Sequence, residues 1–255
     1  MKGKKALCAV AAAVAFAMAC GAGVYAYEKA QINKYKNEKS VLPEGFTVTA
    51  HTGCLKTKEN SLESIETGAS NADIVEFDLN FDSDGNAVLS HDAPKGDEVT
   101  LDMAFETLSK LENTRVNIDI KSTANLAVIE QLAKKNNMQE RIFLTGVDDE
   151  FVKAVKNSCS GTQYYLNVDV DKKKNENEEY LLSLVAKVKE SGAVGINFNK
   201  NSASKKLVEV FHENGLLVSI WTVDEEKDIY KILSFAPDNI TSRNPDKVKE
   251  IAAVK

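Results

Sequence analysis

From Phe46 onward, short runs rich in β-branched residues alternate with segments of helical apolar spacing, and this alternation constrains the fold most strongly. It is typical of βαβ units around a parallel sheet. Eight such units in about 210 residues fit a TIM (βα)8 barrel, whereas an open doubly wound sheet usually has fewer strands. The predicted strands are 46–51, 74–79, 115–120, 141–146, 162–169, 193–198, 216–222 and 238–241. The predicted helices are 59–70, 101–111, 124–137, 148–158, 177–191, 201–214, 225–235 and 245–253.

One additional strand is predicted after the second strand of this α/β barrel. Asp84-Gly85 separates two β-like runs, and Asp-Gly in that position is a hairpin signal. The added strand would turn back at the C-terminal end of the barrel and carry His91 over its mouth. The predicted fold is therefore a TIM (βα)8 barrel with a small β-hairpin after strand 2.

The N-terminus has the pattern of an export segment. Three lysines within the first five residues precede an uncharged run from Ala6 to Tyr27, which is the order of a secretory signal and is also long enough to span a bilayer. Three fates are open for residues 1–27: cleavage after Ala17-Met18-Ala19, retention as an anchor, or lipidation of Cys20 in a stretch that resembles a bacterial lipobox. All three predict a domain outside the cytoplasm, either secreted or held at the membrane.

Charge separates the N-terminal part from the body of the chain. Residues 1–42 hold seven lysines and two glutamates, a net charge of +5, so residues 43–255 carry −11 of the total of −6. Residues 28–42 are interpreted as a polar spacer, and 43–255 as the barrel. An acidic body repels the phosphates of nucleic acid, so no nucleic-acid partner is expected. A small anionic substrate remains compatible, because a bound divalent cation reverses the local field.

Acidic side chains cluster on neighbouring predicted strands. Glu76 and Asp78 alternate with Phe77 and so share one face of a strand, and Asp119 lies in the corresponding part of the next. Carboxylates directed into one space repel each other unless a cation lies between them. An all-oxygen ligand set suits hard cations. The sequence therefore predicts one divalent cation, Ca2+ or Mg2+, held by Glu76, Asp78 and Asp119.

Two of the three histidines fall beside this cluster. His51 ends the first predicted strand and His91 follows the hairpin, whereas His212 lies within a predicted helix and is expected to be a surface or packing residue. One imidazole can take the proton of a nucleophile while the other protonates a leaving alkoxide. The pair predicts cleavage of a small-molecule phosphodiester.

The spacing of these residues resembles a known family. His51-Thr52-Gly53, Glu59-Asn60-Ser61, Glu76-Phe77-Asp78, Asp84-Gly85 and His91-Asp92 are similar to the signature of the glycerophosphodiester phosphodiesterase family, in the PLC-like phosphodiesterase superfamily. Weaker likenesses at Ile118-Asp119-Ile120-Lys121, at Trp221-Thr222-Val223 and near Pro245 extend the resemblance over about residues 46–246.

The resemblance implies metal-dependent hydrolysis of glycerophosphodiesters to glycerol phosphate and an alcohol, through a cyclic phosphate that water opens. It implies that His51 and His91 are the acid/base pair, and that Lys121 contacts the phosphoryl oxygens. It also implies that Trp221 lines the pocket for the glycerol or head group, and that Glu59 orients the first loop.

Three departures keep other functions open. Thr52 stands where the family has arginine, Asp119 replaces the commoner glutamate, and the loop after His91 is short. One alternative is a phospholipase that cuts intact lipid head groups, which would need an exposed apolar lip at the barrel mouth. The other is a catalytically impaired surface protein that binds phosphodiesters or a partner. Cys54 and Cys159, at opposite ends of the predicted barrel, are expected to be unpaired.

Overall fold

The computed structural model of the protein describes residues 23, 25–38, 40–111 and 113–255. Within these residues, eight parallel strands close a barrel and one further strand lies outside the ring, which confirms the predicted TIM barrel. Around the ring the order is β1-β2-β4-β5-β6-β7-β8-β9, and β9 pairs with β1. The strands are β1 Thr47–Ala50, β2 Ile74–Phe81, β3 Ala87–Leu89, β4 Arg115–Ile120, β5 Ile142–Val147, β6 Tyr164–Asn167, β7 Gly195–Asn199, β8 Leu217–Trp221 and β9 Asn239–Ser242.

A helix follows each barrel strand, preceded in two cases by a short 3-10 turn, and a third such turn leads from α4 into β5. Each predicted helix overlaps one of these, although the predicted bounds extend one to four residues too far at several ends. The helices are α1 at 25–36, α2 Leu62–Asn71, α3 Leu101–Ser109, α4 Ala127–Lys135, α5 Asp149–Ser158, α6 Glu178–Ser191, α7 Lys205–Glu213, α8 Glu226–Ser234 and α9 Pro245–Ala252. Side chains cap several of them, as where Ser204 accepts a hydrogen bond from Leu207 N at the start of α7. Such caps stabilise a helix by about 1 kcal/mol.

The predicted hairpin is present. β3 pairs antiparallel with β2, with Leu79 opposite Leu89 and Phe81 opposite Ala87. Asp82 closes the turn, because its carboxylate accepts hydrogen bonds from the backbone N–H groups of Asp84 and Asn86. The hairpin returns the chain to the C-terminal end of β2, next to the barrel mouth.

The two faces of the barrel strands differ sharply. Val75, Phe77 and Leu79 of β2 face the helix layer and are fully buried, in the main hydrophobic core. The interior of the barrel is instead polar, although branched apolar side chains usually fill it in this fold. Its buried side chains include Thr49, Asn117, Thr145, Asn197, Ser219, Asn239 and Thr241. They form hydrogen bonds with one another, for example from Thr49 to Asn239 and from Asn239 to Ser219.

Helix α1 packs along the outside of α8. Glu28 pairs with Lys227 at 2.6 Å, and the ring of Tyr35 meets Phe235 edge-on at 6.5 Å. The part of the chain interpreted as a polar spacer therefore begins with a docked helix. Among the helices that the structure describes, none is both long and apolar enough to cross a membrane. The export segment predicted at 1–27 lies almost wholly outside the described residues.

Two smaller predictions agree with the structure. Cys54 and Cys159 are both buried and free. His212 is exposed on α7, where its Nε2 lies 2.8 Å from Asp238 Oδ2. Neither cysteine nor His212 lines the barrel mouth.

Candidate active site

A cavity of about 530 Å3 opens at the C-terminal ends of the barrel strands. That size suits a small ligand, and active sites of this fold lie at this end. The cavity brings together all seven residues that the sequence singled out: His51, Glu76, Asp78, His91, Asp119, Lys121 and Trp221.

Glu76, Asp78 and Asp119 form the acidic centre of the cavity. Strand register brings them together, because Asp78 of β2 pairs with Asp119 of β4 and Glu76 lies one inward-facing position earlier. One carboxylate oxygen from each lies within 4.8 Å of the others, a spacing that could hold a metal ion. Glu76 and Asp78 are buried, and Asp119 is partly buried. The predicted ligand set therefore converges.

Burial raises the pKa of Glu76 to about 7, and the negative charges of Asp78 and Asp119 act in the same direction. His51 and the backbone N–H of Thr52 oppose this rise. Thr52 donates its hydrogen bond to Glu76 Oε2 at 2.8 Å. The carboxyl group of Glu76 therefore resists ionisation in this buried position beside two other acidic groups.

The ammonium of Lys121 bridges two of the three carboxylates. Its Nζ lies 2.9 Å from Asp78 and 2.5 Å from Asp119. Burial lowers the pKa of Lys121, but the negative charges of Asp119 and Asp78 raise it by more than burial lowers it. The pKa of Lys121 is therefore above its ordinary value. The side chain predicted to contact phosphoryl oxygens is thus already paired with the acidic centre.

Asp119 is held in place from β5. Thr145 Oγ1 lies 2.8 Å from Asp119 Oδ1 and at the same distance from Asn117 Oδ1. The next residue, Gly146, adopts a φ of +72°, and a Cβ there would lie 2.7 Å from Asp119 Oδ1. Only glycine therefore fits beside this carboxylate. The three hard oxygen donors, kept in place by such contacts, fit Ca2+ or Mg2+.

His51 lies directly after β1, beside the acidic centre. Its Nδ1 is 2.9 Å from the carbonyl oxygen of Thr52 and 3.8 Å from Glu76 Oε2. A carbonyl only accepts hydrogen bonds, so in the neutral ring the proton resides on Nδ1. Nε2 is then left with its lone pair, ready to accept a proton.

His91 lies at the exposed rim of the same cavity. Its Nδ1 is 2.9 Å from Asp92 Oδ1, and this hydrogen bond lowers the pKa of Asp92. Asp92 therefore remains a carboxylate acceptor and fixes the proton of the neutral imidazole on Nδ1. The His91 side chain is 65% exposed, against 20% for His51. His91 thus lies at the solvent-exposed rim of the cavity, and His51 lies in its less exposed interior.

Thr52 and Asn60 connect the first loop to the acidic centre. The side chain of Thr52 is buried, and its hydroxyl accepts a hydrogen bond from Asn60 N at 2.6 Å. Glu59 lies over Gly53, where a Cβ would come within 2.7 Å of its Cγ and where φ is +75°. The loop is therefore closely packed, and Thr52 acts as a packing and hydrogen-bonding residue.

Several cavity residues escaped the sequence analysis. Arg243 follows β9 and lines the cavity, where its guanidinium pairs with Glu59 at 3.1 Å. Thr145 and Asn117 support Asp119 from within the barrel. Because β9 pairs with β1 in the closed barrel, the residue that follows β9 lies beside His51, and this could have indicated Arg243. The inward positions of β4 and β5 could have indicated the other two.

Trp221 ends β8 and lines the cavity as expected. Its indole Nε1 is buried and has no hydrogen-bond partner among the described residues. Buried donors of this kind are rare in folded proteins. The indole therefore forms part of the cavity wall and keeps one N–H donor without a protein partner there.

Comparisons with protein families and with solved structures both give matches. A sequence model of the glycerophosphoryl diester phosphodiesterase family matches residues 95–247, more than half of the chain. This range includes Asp119, Lys121, Trp221 and Arg243, and begins after His91. No curated protein sequence matches the chain.

Solved structures share the fold. A glycerophosphodiester phosphodiesterase from Parabacteroides distasonis has 18% identity and a TM-score of 0.67, covering 82% of this chain and 98% of that one. A Thermotoga maritima glycerophosphodiester phosphodiesterase has 20% identity and a TM-score of 0.64, covering 82% and 99%. An Oleispira antarctica phosphodiesterase in complex with the product sn-glycerol-3-phosphate has 17% identity and a TM-score of 0.68, covering 83% and 97%. At these identities the likeness shows the fold.

Proposed function

Since the chain belongs to the glycerophosphoryl diester phosphodiesterase family and is a phosphodiesterase, we propose that it hydrolyses glycerophosphodiesters to glycerol phosphate and an alcohol with the help of one divalent cation. The observation that carries the proposal is the convergence of Glu76, Asp78 and Asp119 in one cavity with two histidines. The sn-glycerol-3-phosphate bound as product in the Oleispira antarctica phosphodiesterase supports the same product class.

Charge balance supports the need for a cation. Among the described residues that line the cavity are five carboxylates and two fixed cations, Lys121 and Arg243. A phosphodiester would be repelled by this surplus of negative charge. A divalent cation on Glu76, Asp78 and Asp119 would neutralise the phosphate and stabilise charge that develops on its oxygens.

The two histidines divide the proton transfers. We assign His51 to accept the proton of the substrate's neighbouring hydroxyl, which attacks phosphorus and gives a cyclic phosphate that water then opens. His51 suits this step because it lies deep in the cavity beside the acidic centre, with its Nε2 lone pair available. We assign His91 to the leaving alcohol, because it lies at the open rim, where alcohols of different sizes have room. Asp92 keeps the His91 ring oriented during this transfer. Trp221 would line the pocket for glycerol or the head group.

The exposed apolar side chains favour a soluble phosphodiester over an intact lipid. Within the described part of the chain, the large exposed apolar residues are Tyr25, Tyr27, Val41, Met103, Leu182, Leu217 and Val254. None of these seven lines the catalytic cavity. A lipid-cleaving enzyme would need such residues at the mouth to receive acyl chains.

The test is an assay of the full chain on glycerophosphocholine and glycerophosphoglycerol with Ca2+, with Mg2+ and with a chelator. We expect metal-dependent release of glycerol phosphate. His51→Ala should abolish it, and Glu76→Ala should strongly reduce it. Activity that persists in chelator would overturn the metal assignment. Failure to cleave any phosphodiester would instead favour the binding-protein alternative.

We also propose that the protein acts outside the cytoplasm, held at the membrane or secreted through its N-terminal segment. The lysines before an uncharged run support this. The first residues of α1 support a tether near the catalytic end, since Tyr25 shares a surface pocket with Asp224 and Asn244, which follow β8 and β9. Protease added to intact cells should digest the protein. Protection until the membrane is broken would contradict the proposal.

A further inference from the structure

We propose that Arg243 is the phosphate-binding guanidinium of this site, an inference that rests on the proposed function. It follows β9 directly, and β9 pairs with β1 so that Ala50 lies opposite Ser242 and His51 N donates to Ser242 O. Arg243 is therefore the next residue along the rim from His51. Both side chains line the same cavity.

The other fixed cation of the cavity is already engaged. Lys121 lies within 2.9 Å of both Asp78 and Asp119 and neutralises that pair. Thr52, in the first loop, is uncharged and buried, and its hydroxyl serves Asn60. Among the described lining residues, Arg243 is therefore the fixed cation that lies outside the acidic centre.

Neighbouring carboxylates hold the Arg243 guanidinium in place but leave some of its N–H donors free. Asp224 accepts a hydrogen bond from Arg243 N at 2.7 Å and lies 3.7 Å from Arg243 Nη1, while Glu59 accepts one from Arg243 Nη2 at 3.1 Å. A guanidinium carries five N–H donors, so the fork retains donors for an anion. The side chain is 40% exposed at the cavity wall. Guanidinium groups bind phosphate through paired hydrogen bonds, which a lysine does not reproduce.

Because Arg243 binds the phosphoryl group, its loss should affect turnover and anion binding while the barrel stays folded. We expect Arg243→Gln to lower kcat about 10²–10³-fold, as for other donors to a developing anion. Arg243→Lys should recover only part of this loss. Binding of sn-glycerol 3-phosphate, measured by calorimetry with the metal present, should weaken about tenfold or more in Arg243→Gln.

Two controls separate phosphate binding from a structural role. Glu59→Gln removes the ion pair but keeps the guanidinium, so adding Arg243→Gln to Glu59→Gln should further lower kcat and the affinity for sn-glycerol 3-phosphate; no further loss would show that Arg243 acts only through Glu59 and would overturn the inference. Arg115→Gln makes the same change at the exposed start of β4, at the far end of the barrel, and should leave kinetics unchanged.

The two proposals fail differently. If the wild type cleaves no glycerophosphodiester while Arg243→Gln still weakens binding of sn-glycerol 3-phosphate, the proposed reaction fails and the role of Arg243 stands. If the wild type is active and Arg243→Gln has the same kcat, KM and affinity for sn-glycerol 3-phosphate, the role of Arg243 is overturned. A wild type that neither cleaves the diester nor binds glycerol phosphate would overturn both.

Discussion

Asn60 and Asp78 form a reciprocal pair: Asn60 Nδ2 donates to Asp78 Oδ2 at 2.9 Å, and Asp78 N donates to Asn60 Oδ1 at 3.0 Å. One short side chain thus fixes both the backbone and the carboxylate of a metal-ligand candidate. Asn60 has a φ of 54°, a conformation that asparagine tolerates better than most residues. The first loop therefore positions the acidic centre although it contributes no ligand.

Asn60→Gly should weaken binding of Ca2+ or Mg2+ about 10–100-fold, as is typical when a residue that orients a metal ligand is lost. Glycine keeps the positive φ, so the change removes the two side-chain hydrogen bonds with Asp78 and a longer one, of 3.4 Å, from the Thr52 hydroxyl. Titration calorimetry measures the effect. Asn137→Gly is the matched control, because Asn137 has a φ of 57° in the loop after α4, away from the cavity. Equal metal affinity in Asn60→Gly and the wild type would contradict the positioning role.

The raised pKa of Glu76 predicts an unusual pH dependence of stability. Its folded-state pKa is about 7, above the ordinary value of 4.5, so the folded protein retains a proton that the unfolded chain has already released. Stability therefore falls as the pH rises from about 4.5 to about 7. Melting of chelator-treated protein should show this decline, and Glu76→Gln should flatten it. The exposed control Glu213→Gln should leave the slope of stability against pH unchanged. If Glu76→Gln also leaves that slope unchanged, Glu76 is not the source of the decline.

Metal affinity should change with pH in the opposite direction to the stability of the metal-free protein. The cation needs ionised Glu76, so its affinity should increase as the pH rises through about 7, and binding should release a proton. Calorimetry in buffers of different ionisation enthalpy measures the proton released per ion. Affinity that stays constant between pH 6 and 8 would exclude Glu76 as a ligand.

Much of the barrel could be predicted because each strand and helix is encoded locally. The strand β4 occupies its predicted residues 115–120, and Asp84-Gly85 correctly located the hairpin. The acidic centre could also be predicted, because side chains alternate along a strand and parallel strands end together. The alternation of side chains along each strand was enough to predict that Glu76, Asp78 and Asp119 face the same space.

Contacts between distant segments could not be predicted in the same way. The ion pair between Arg243 and Glu59 joins residues 184 positions apart, and it depends on closure of the barrel between β9 and β1. Lys121 is predicted to contact the phosphoryl oxygens, and the pairing of its ammonium with Asp78 and Asp119 is a contact that the sequence did not indicate. Which charges neutralise each other is a property of the folded cavity, and the sequence shows only which charges are present.

The assignment of the two histidines predicts different responses to the leaving group. If His91 protonates the leaving alkoxide, His91→Ala should lose about 10²–10⁴-fold on glycerophosphocholine but little on a glycerophosphodiester of p-nitrophenol, whose anion leaves unaided. His51→Ala should lose activity on both substrates. Comparison of kcat for the two substrates measures this, with His212→Ala as the imidazole control outside the cavity. If His91→Ala loses equal activity on both substrates, His91 is not the group that protonates the leaving alkoxide.

Lys121 and a divalent cation compete for the same two carboxylates. Its ammonium contacts Asp78 and Asp119 directly, and a cation that binds there must approach a like charge. Lys121→Met keeps most of the side-chain volume and removes the charge, so metal affinity should rise. At the same time kcat should fall, because the predicted contact of Lys121 with the phosphoryl oxygens is lost. Calorimetry and the glycerophosphocholine assay measure the two changes separately, and the exposed Lys110→Met is the control. If metal affinity and kcat fall together, Lys121 supports the acidic centre rather than competing with the metal for it.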